Sequence, residues 1–180
     1  GVTSRGIITP IFKEGDDLVS LVCESVITAS REEDFKLHDG DIVAVTEAVV
    51  GRTQGNYATC DQITADVRNK LGGKTMGIIF PILSRNRFSI LLKGIAAAAS
   101  EKLYIQLSYP SDEVGNAFLS LDTIDEKVVD PYRDNFDEAG FRAIFGKDTV
   151  HRFTGIDYID YYKSFGDNVE IIFSNDPKYI

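Results

Sequence analysis

The chain has 180 residues, enough to bury a full core, and its 43% hydrophobic and 26% charged residues are ordinary for a globular domain. A net charge of -9, from 28 acidic and 19 basic residues, argues against sequence-independent nucleic-acid binding, which needs a basic surface. No apolar run approaches the roughly 20 residues that span a bilayer, so neither nucleic acid nor a membrane is an expected partner. The two cysteines, Cys23 and Cys60, are far apart and fall in predicted helices. They suggest a reducing cytoplasm and neither a metal ligand nor a redox pair.

In chain order, residues 6–12 (GIITPIF) read as a first strand, with Pro10 confining it to an edge or ending it. Gly15-Asp16-Asp17 then opens a helix. Either aspartate suits the free N–H groups at its start, and Leu18, Val19, Leu21, Val22, Val26 and Ile27 recur at helical spacing to about residue 30. After the turn signal Asp39-Gly40, the run Ile42-Val43-Ala44-Val45 reads as a short buried strand. It breaks at Thr46-Glu47 and leads into Gly51-Arg52-Thr53-Gln54-Gly55-Asn56. Polar donors between two glycines beyond a strand mark the place where open sheets hold ligands.

Asp61–Leu71 predicts a second amphipathic helix, with Ile63, Val67 and Leu71 on one face and Gly72-Gly73 as its stop. Residues 75–80 form a β-rich run ended by Pro81, 87–99 a third helix, and 103–107 another strand. This alternation predicts an α+β fold: a layered α/β core with a mixed sheet and flanking helices, less regular beyond Asp112. There, 136–145 and 157–165 read as short helices, Val128-Val129 as part of a strand, and Val169–Phe173 as the last strand. One domain over residues 1–180 is expected, with a subdivision near 110 open. Gly1 in place of a Met, and a last strand with no closing element after it, suggest the N-terminal portion of a longer protein.

Several residue patterns carry possible chemistry. Lys74-Thr75 in GGKT lacks the upstream glycine of a phosphate loop, and a helix precedes it where a strand should, so a helix C-cap is the better reading. His38 and His151 have no metal-ligand companions and read as ordinary surface or core histidines. Ser84-Arg85-Asn86-Arg87 lies between a strand end and a helix start. Arg85 and Arg87 could grip phosphate there, or could form a solvated cap. Asp112, Glu113 and Asn116 gather oxygen ligands suited to a hard cation; an acidic helix N-terminus is the alternative. The acid-rich tract Asp122–Asp137 reads as a solvated face. The Tyr158, Tyr161, Tyr162 and Phe165 set reads as core or interface packing rather than a stacking platform.

Taken in order, Gly15-Asp16-Asp17-Leu18, Asp39-Gly40-Asp41-Ile42-Val43-Ala44-Val45 and Val49-Val50-Gly51-Arg52-Thr53-Gln54-Gly55 resemble the N-terminal half of the coenzyme F-420 glutamate ligase (γ-glutamyl ligase) family. The match is good over roughly residues 6–56, and FPILSRNRF and LSYPSDEVGN are similar to a longer bacterial subgroup. The resemblance implies a GTP-dependent ligase that uses a divalent cation, manganese or magnesium, and forms an intertwined homodimer. It implies amide-bond formation between glutamate and a phosphorylated, deazaflavin-type acceptor. The family segment Ser-Lys-Ala-Glu-Gly falls on Gly51 to Gly55, so Arg52 replaces the lysine, Gly51 a serine and Gln54 a glutamate. The family's later motifs Asn-Ala-Gly-Ile-Asp and Asp-Thr-x-Gly-Arg are not found here.

On this reading Arg52, Arg85 and Arg87 meet phosphates, Thr46, Gln54 and Gly55 orient the nucleotide, and Asp112 with Glu113 holds metal. The competing expectation is a non-catalytic nucleotide- or metabolite-binding module that keeps the scaffold and dimerises.

Overall fold

A computed structural model describes residues 1–83, 87–117, 119–147, 149–150 and 155–180, with Arg87 described only through its backbone. The chain divides into two compact units, Gly1–Ala58 and Thr59–Ile180.

The first unit holds two helices, α1 (Leu18–Glu32) and α2 (Glu47–Thr53), and no strand among its residues. Asp17 caps α1, its Oδ1 accepting from Ser20 N at 3.2 Å and its Oδ2 from the Ser20 hydroxyl at 2.7 Å. These bonds stabilise the charged form and hold the Asp17 carboxyl below its usual range. Along α1, Leu18, Leu21, Val22, Ser25, Val26, Ala29 and Ser30 are half-buried, a stripe at three- and four-residue spacing.

Two expectations fail in this unit. Residues 6–12 and 42–45 form no strand, and Ile42, Val43 and Val45 are 90%, 56% and 40% exposed. A β-prone run becomes a strand only when a neighbour completes its hydrogen-bond ladder, and this unit offers none. The third difference follows from the second: residues 47–53 are helical, so the 51–56 loop continues from a helix rather than a strand.

The second unit is built on a mixed four-stranded sheet in the order β1-β2-β4-β3. Its strands are β1 (Thr75–Ile79), β2 (Lys102–Leu107), β3 (Phe136–Asp137) and β4 (Val169–Phe173). β1, β2 and β4 run parallel, with Thr75 opposite Lys102 and Tyr104 opposite Glu170; β3 is antiparallel to β4. The α+β expectation holds. Helix α3 (Cys60–Leu71) starts in a capping box between Thr59 and Gln62, and ends at Gly72 in the left-handed region, φ +77°. GGKT is therefore a helix stop. Helix α4 (Arg87–Ala98) packs on α3, where Gly94 makes the close approach: a Cβ there would lie 2.8 Å from Ile63.

Beyond residue 112 the sequence missed α5 (Leu121–Glu126) inside the acidic tract, and Val128-Val129 follow it as a turn rather than a strand. The helix expected over 136–145 is the two-residue strand β3 followed by α6 (Glu138–Phe145), which Asp137 caps. The expected 157–165 helix is α7 (Tyr158–Lys163).

One face of the sheet is the core. Leu103, Ile105, Leu107, Val169, Ile171 and Phe173 point into Leu92 and Ala96 of α4, Phe141 and Phe145 of α6, and Ile159 and Tyr162 of α7. Phe141 stacks on Phe173 at 3.7 Å between ring centroids. Tyr158 and Tyr162 are buried, so the aromatic set on α7 is core packing.

Candidate functional site

Two loop clusters, one in each unit, hold the residues singled out from sequence. In the first unit, the Lys13–Asp17 turn docks on the loop that ends α2. Gly15 N donates to the Thr53 carbonyl at 2.9 Å, and the Glu14 side chain lies against Gly55, where a Cβ would meet its carboxylate at 2.7 Å. Gly55 has φ +66°, so both the backbone conformation and the close approach require glycine. Thr53 is buried, and its hydroxyl bonds back to Val50 O at 3.0 Å. The Gly-Asp-Asp-Leu motif and the Gly51–Gly55 segment are thus one local structure, though some 35 residues of chain separate them.

Arg52 is exposed in the last turn of α2, where its charge also complements the negative helix end. Gln54 Oε1 accepts from Asn56 Nδ2 at 2.9 Å. Thr46 sits at the N-cap of α2 with no side-chain capping bond. These four residues share one short segment, but Thr46 and Arg52 belong to opposite ends of the helix.

In the second unit, parallel β1, β2 and β4 bring their carboxyl ends to one edge, where open sheets hold ligands. The loops there are 80–83, 108–117 and 174–176. Phe80 leaves β1 at φ +50°, a strained conformation for a bulky residue. Asp112, 6% exposed, ties two of these loops together. Its Oδ2 accepts from Leu83 N at 2.8 Å and Asn116 Nδ2 at 2.7 Å, and its Oδ1 from Asn116 N at 2.8 Å and Val114 N at 3.1 Å. Residues 111–117 close as a tight hairpin around it, with Ser111 bridged to Ala117.

Asn175, which the sequence reading did not single out, does similar work on the other side. Its Oδ1 accepts from Tyr109 N at 3.1 Å, and its Nδ2 donates to Tyr109 O at 2.6 Å and Pro131 O at 3.1 Å. Its position just past the last strand was the available signal. Tyr109 is fully buried and donates its hydroxyl to Asp134 O at 2.5 Å. Burial, and then the nearby Asp134 and Asp130 charges, push its phenol well above the usual range.

The expected metal pair divides accordingly. Glu113 is exposed, whereas both oxygens of Asp112 already accept two N–H donors each. A carboxylate has about four lone-pair sites, so a cation at Asp112 would have to displace donors. Among the described residues no three His, Cys, Asp or Glu side chains form a metal-sized group. Arg85 lies outside the described residues, as do the Arg87 side chain and His151; Leu83, two residues before Arg85, is held to the Asp112 loop. His38 is exposed beside Asp41.

No helix among the described residues is long and apolar enough to cross a membrane. A family model described as F420-0:Gamma-glutamyl ligase matches residues 6–171. No curated protein and no solved structure matches the chain.

Proposed function

Since the chain belongs to the F420-0:gamma-glutamyl ligase family, we propose that it takes part in nucleotide-dependent amide-bond formation of the γ-glutamyl type, with GTP as co-substrate and a divalent cation. In such a ligation the terminal phosphoryl group of the nucleotide goes to an acceptor carboxylate oxygen. The amine of glutamate then attacks the carbonyl carbon and phosphate leaves, which yields amide, nucleoside diphosphate and phosphate. The observation that carries the reading is the family match over residues 6–171, which spans the first loop cluster and the 80–83 and 108–117 loops of the second.

In the first unit, Arg52 is the proposed phosphate partner, since an exposed guanidinium presents a fork of donors to an oxyanion. Thr46, Gln54 and Gly55 are proposed to orient the nucleotide from the same segment. Arg85 and Arg87 are proposed further phosphate partners, and a homodimer the working form. A cation would spread developing phosphate charge. The donor set at Asp112 does not fit one, so we route no step through it and assign Asp112 to anchoring the 80–83 and 111–117 loops. That saturated carboxylate also favours a second reading, a module that binds nucleotide without catalysing its transfer.

Thermal unfolding with GTP or ATP, alone and with Mn²⁺ or Mg²⁺, tests the proposal. A nucleotide at 100 times its Kd should add about 2.7 kcal/mol, a shift of several degrees. Arg52→Ala should lose the shift while keeping its own melting temperature. Equal shifts in folded wild type and Arg52→Ala would remove Arg52 from the site. A nucleotide shift indifferent to cation would favour the binding module over the ligase.

A further inference from the structure

The sheet face opposite the helices is partly roofed by residues 174–180. Gln106 is fully buried under this segment and donates from Nε2 to Asp176 O at 2.7 Å and Tyr179 O at 3.1 Å. Ile180 Cδ1 rests over Gly77, where a Cβ would come within 2.7 Å. Between this roof and β3 a cleft of about 260 Å³ remains, whose lining includes Tyr104, Phe136, Asp137, Glu170, Ile172 and Tyr179. It lies outside both loop clusters. Its size is below the roughly 300 Å³ at which sites for drug-sized ligands begin, so its occupant is small.

Hydrogen-bond chemistry narrows the occupant further. The charged groups of the lining are two carboxylates, and Tyr104 and Tyr179 add aromatic surface, whose ring faces attract cations. Gln106 lies on the same face of β2 as Tyr104 by strand alternation, and its Oε1 is a buried acceptor with no donor. The Asp137 Oδ1 is taken by Gly140 N at 2.7 Å, but Glu170 already demonstrates its preference: Lys102 Nζ sits 2.5 Å from its Oε1. The face offers acceptors and aromatic surface, and the cation it holds in the free protein is an alkylammonium on its rim.

We propose that this cleft binds a small organic ammonium with an apolar body, its charge on Glu170 and its body between Tyr104 and Tyr179. The resident Lys102 ammonium competes for the same carboxylate. The same chemistry could arrive as a free amine or as the side chain of a lysine.

The experiment is an NMR titration of the chain, following the Tyr104 and Ile172 amides. The probes are phenethylammonium, its neutral analogue 2-phenylethanol, and a doubly blocked lysine amide. Saturable shifts are expected with phenethylammonium, weaker ones with the alcohol. Two variants should move in opposite directions. Glu170→Gln should weaken binding about tenfold, the scale of one charge-assisted hydrogen bond, and Lys102→Met should tighten it by freeing the carboxylate. Tighter binding of the blocked lysine than of phenethylammonium would assign the cleft to lysine side chains, and the reverse to free amines. Non-saturable shifts with both cations, equal binding of the alcohol, or Glu170→Gln leaving the affinity unchanged would each overturn the proposal. Both substituted side chains are half-exposed, and the amide spectrum of each variant checks its fold before the titration.

Discussion

If Asp112 is an anchor, its removal should cost stability on a scale the structure sets. The Leu83 N–H bond is buried, and an orphaned buried donor costs about 2 kcal/mol. The three donors from Val114 and Asn116 are half-buried, and water can partly replace the carboxylate there, at about 0.5–1 kcal/mol each. Asp112→Ala should therefore lose about 4 kcal/mol. Asp112→Asn keeps the shape but turns an amide NH₂ toward two N–H donors, so about half of that is expected, about 2 kcal/mol. At about 2–4 °C per kcal/mol for a chain of this size, the alanine variant should melt about 10 °C lower. Urea unfolding gives the free energies, and hydrogen exchange at the Leu83 amide should speed up in both variants. The cation reading predicts something else: an unchanged melting temperature without metal, and loss of a Mn²⁺-dependent shift. Asp112→Asn with wild-type stability and no Mn²⁺ response would refute the anchor and restore a cation ligand.

Three further outcomes follow from local geometry. The Glu138 and Asp157 carboxyls join α6 to α7. Burial alone would raise both, but Lys163 and Arg142 on Glu138, and Arg142, the Asp160 N–H and the Thr149 hydroxyl on Asp157, hold both below their ordinary values of 4.5 and 3.8. With folded values below unfolded ones, this stabilisation is full above the unfolded values and disappears as pH falls through the folded ones. Arg142→Met should destabilise by about 3 kcal/mol near neutrality and flatten the acid-side loss; a parallel acid titration would count against the network. Gly94→Ala should cost about 1–3 kcal/mol by forcing α4 from Ile63 and the Cys60 carbonyl, read in urea unfolding, and a neutral result would mean that the helices separate freely. Val128, 90% exposed at φ +54° just after α5, should gain about 1 kcal/mol when replaced by glycine, and a lower melting temperature would show that its side chain is held by contacts after all.

How much of this was legible depended on whether the stabilising partner was local. The cap of α1 and the stop of α3 were readable because Asp17 and Gly72 act on N–H and C=O groups within four residues, whereas the Thr59 cap, one residue before Cys60, was not singled out. β1, β2 and β4 were readable because each is a short run rich in β-branched and other apolar residues; β2 and β4 carry their buried core face on alternate positions, as in Val169, Ile171 and Phe173. The 42–45 run carries a similar apolar signal, yet it forms no strand and stays exposed. Strand propensity measures fit to a pleated, half-buried surface, and without such a surface it has nothing to act on. α5 was hidden for the opposite reason. Leu121 is exposed and only Ile124 is buried, so a six-residue helix rests on the Ser120 cap rather than on an apolar stripe.

The candidate site shows the same division with consequences for chemistry. A sequence reveals that Asp112, Glu113 and Asn116 are close together, and oxygen-rich clusters of that kind suit hard cations. It does not reveal how many lone pairs the fold has already committed. Leu83 is 29 residues away from Asp112, and its N–H reaches the carboxylate only because β1 and β2 are parallel and end at the same edge. Once that donor and the three from residues 114–116 are in place, the carboxylate is a structural element that fixes the chain entering Ser84–Arg87. In the first unit the reasoning runs the other way. Gly55 takes part in the candidate site because Glu14 needs the space that a Cβ would fill, a contact made through the Gly15–Thr53 hydrogen bond. In each cluster the motif residue acts by holding a second loop in place, which is why Arg52, exposed and free of such a task, is the residue whose removal should change ligand binding alone.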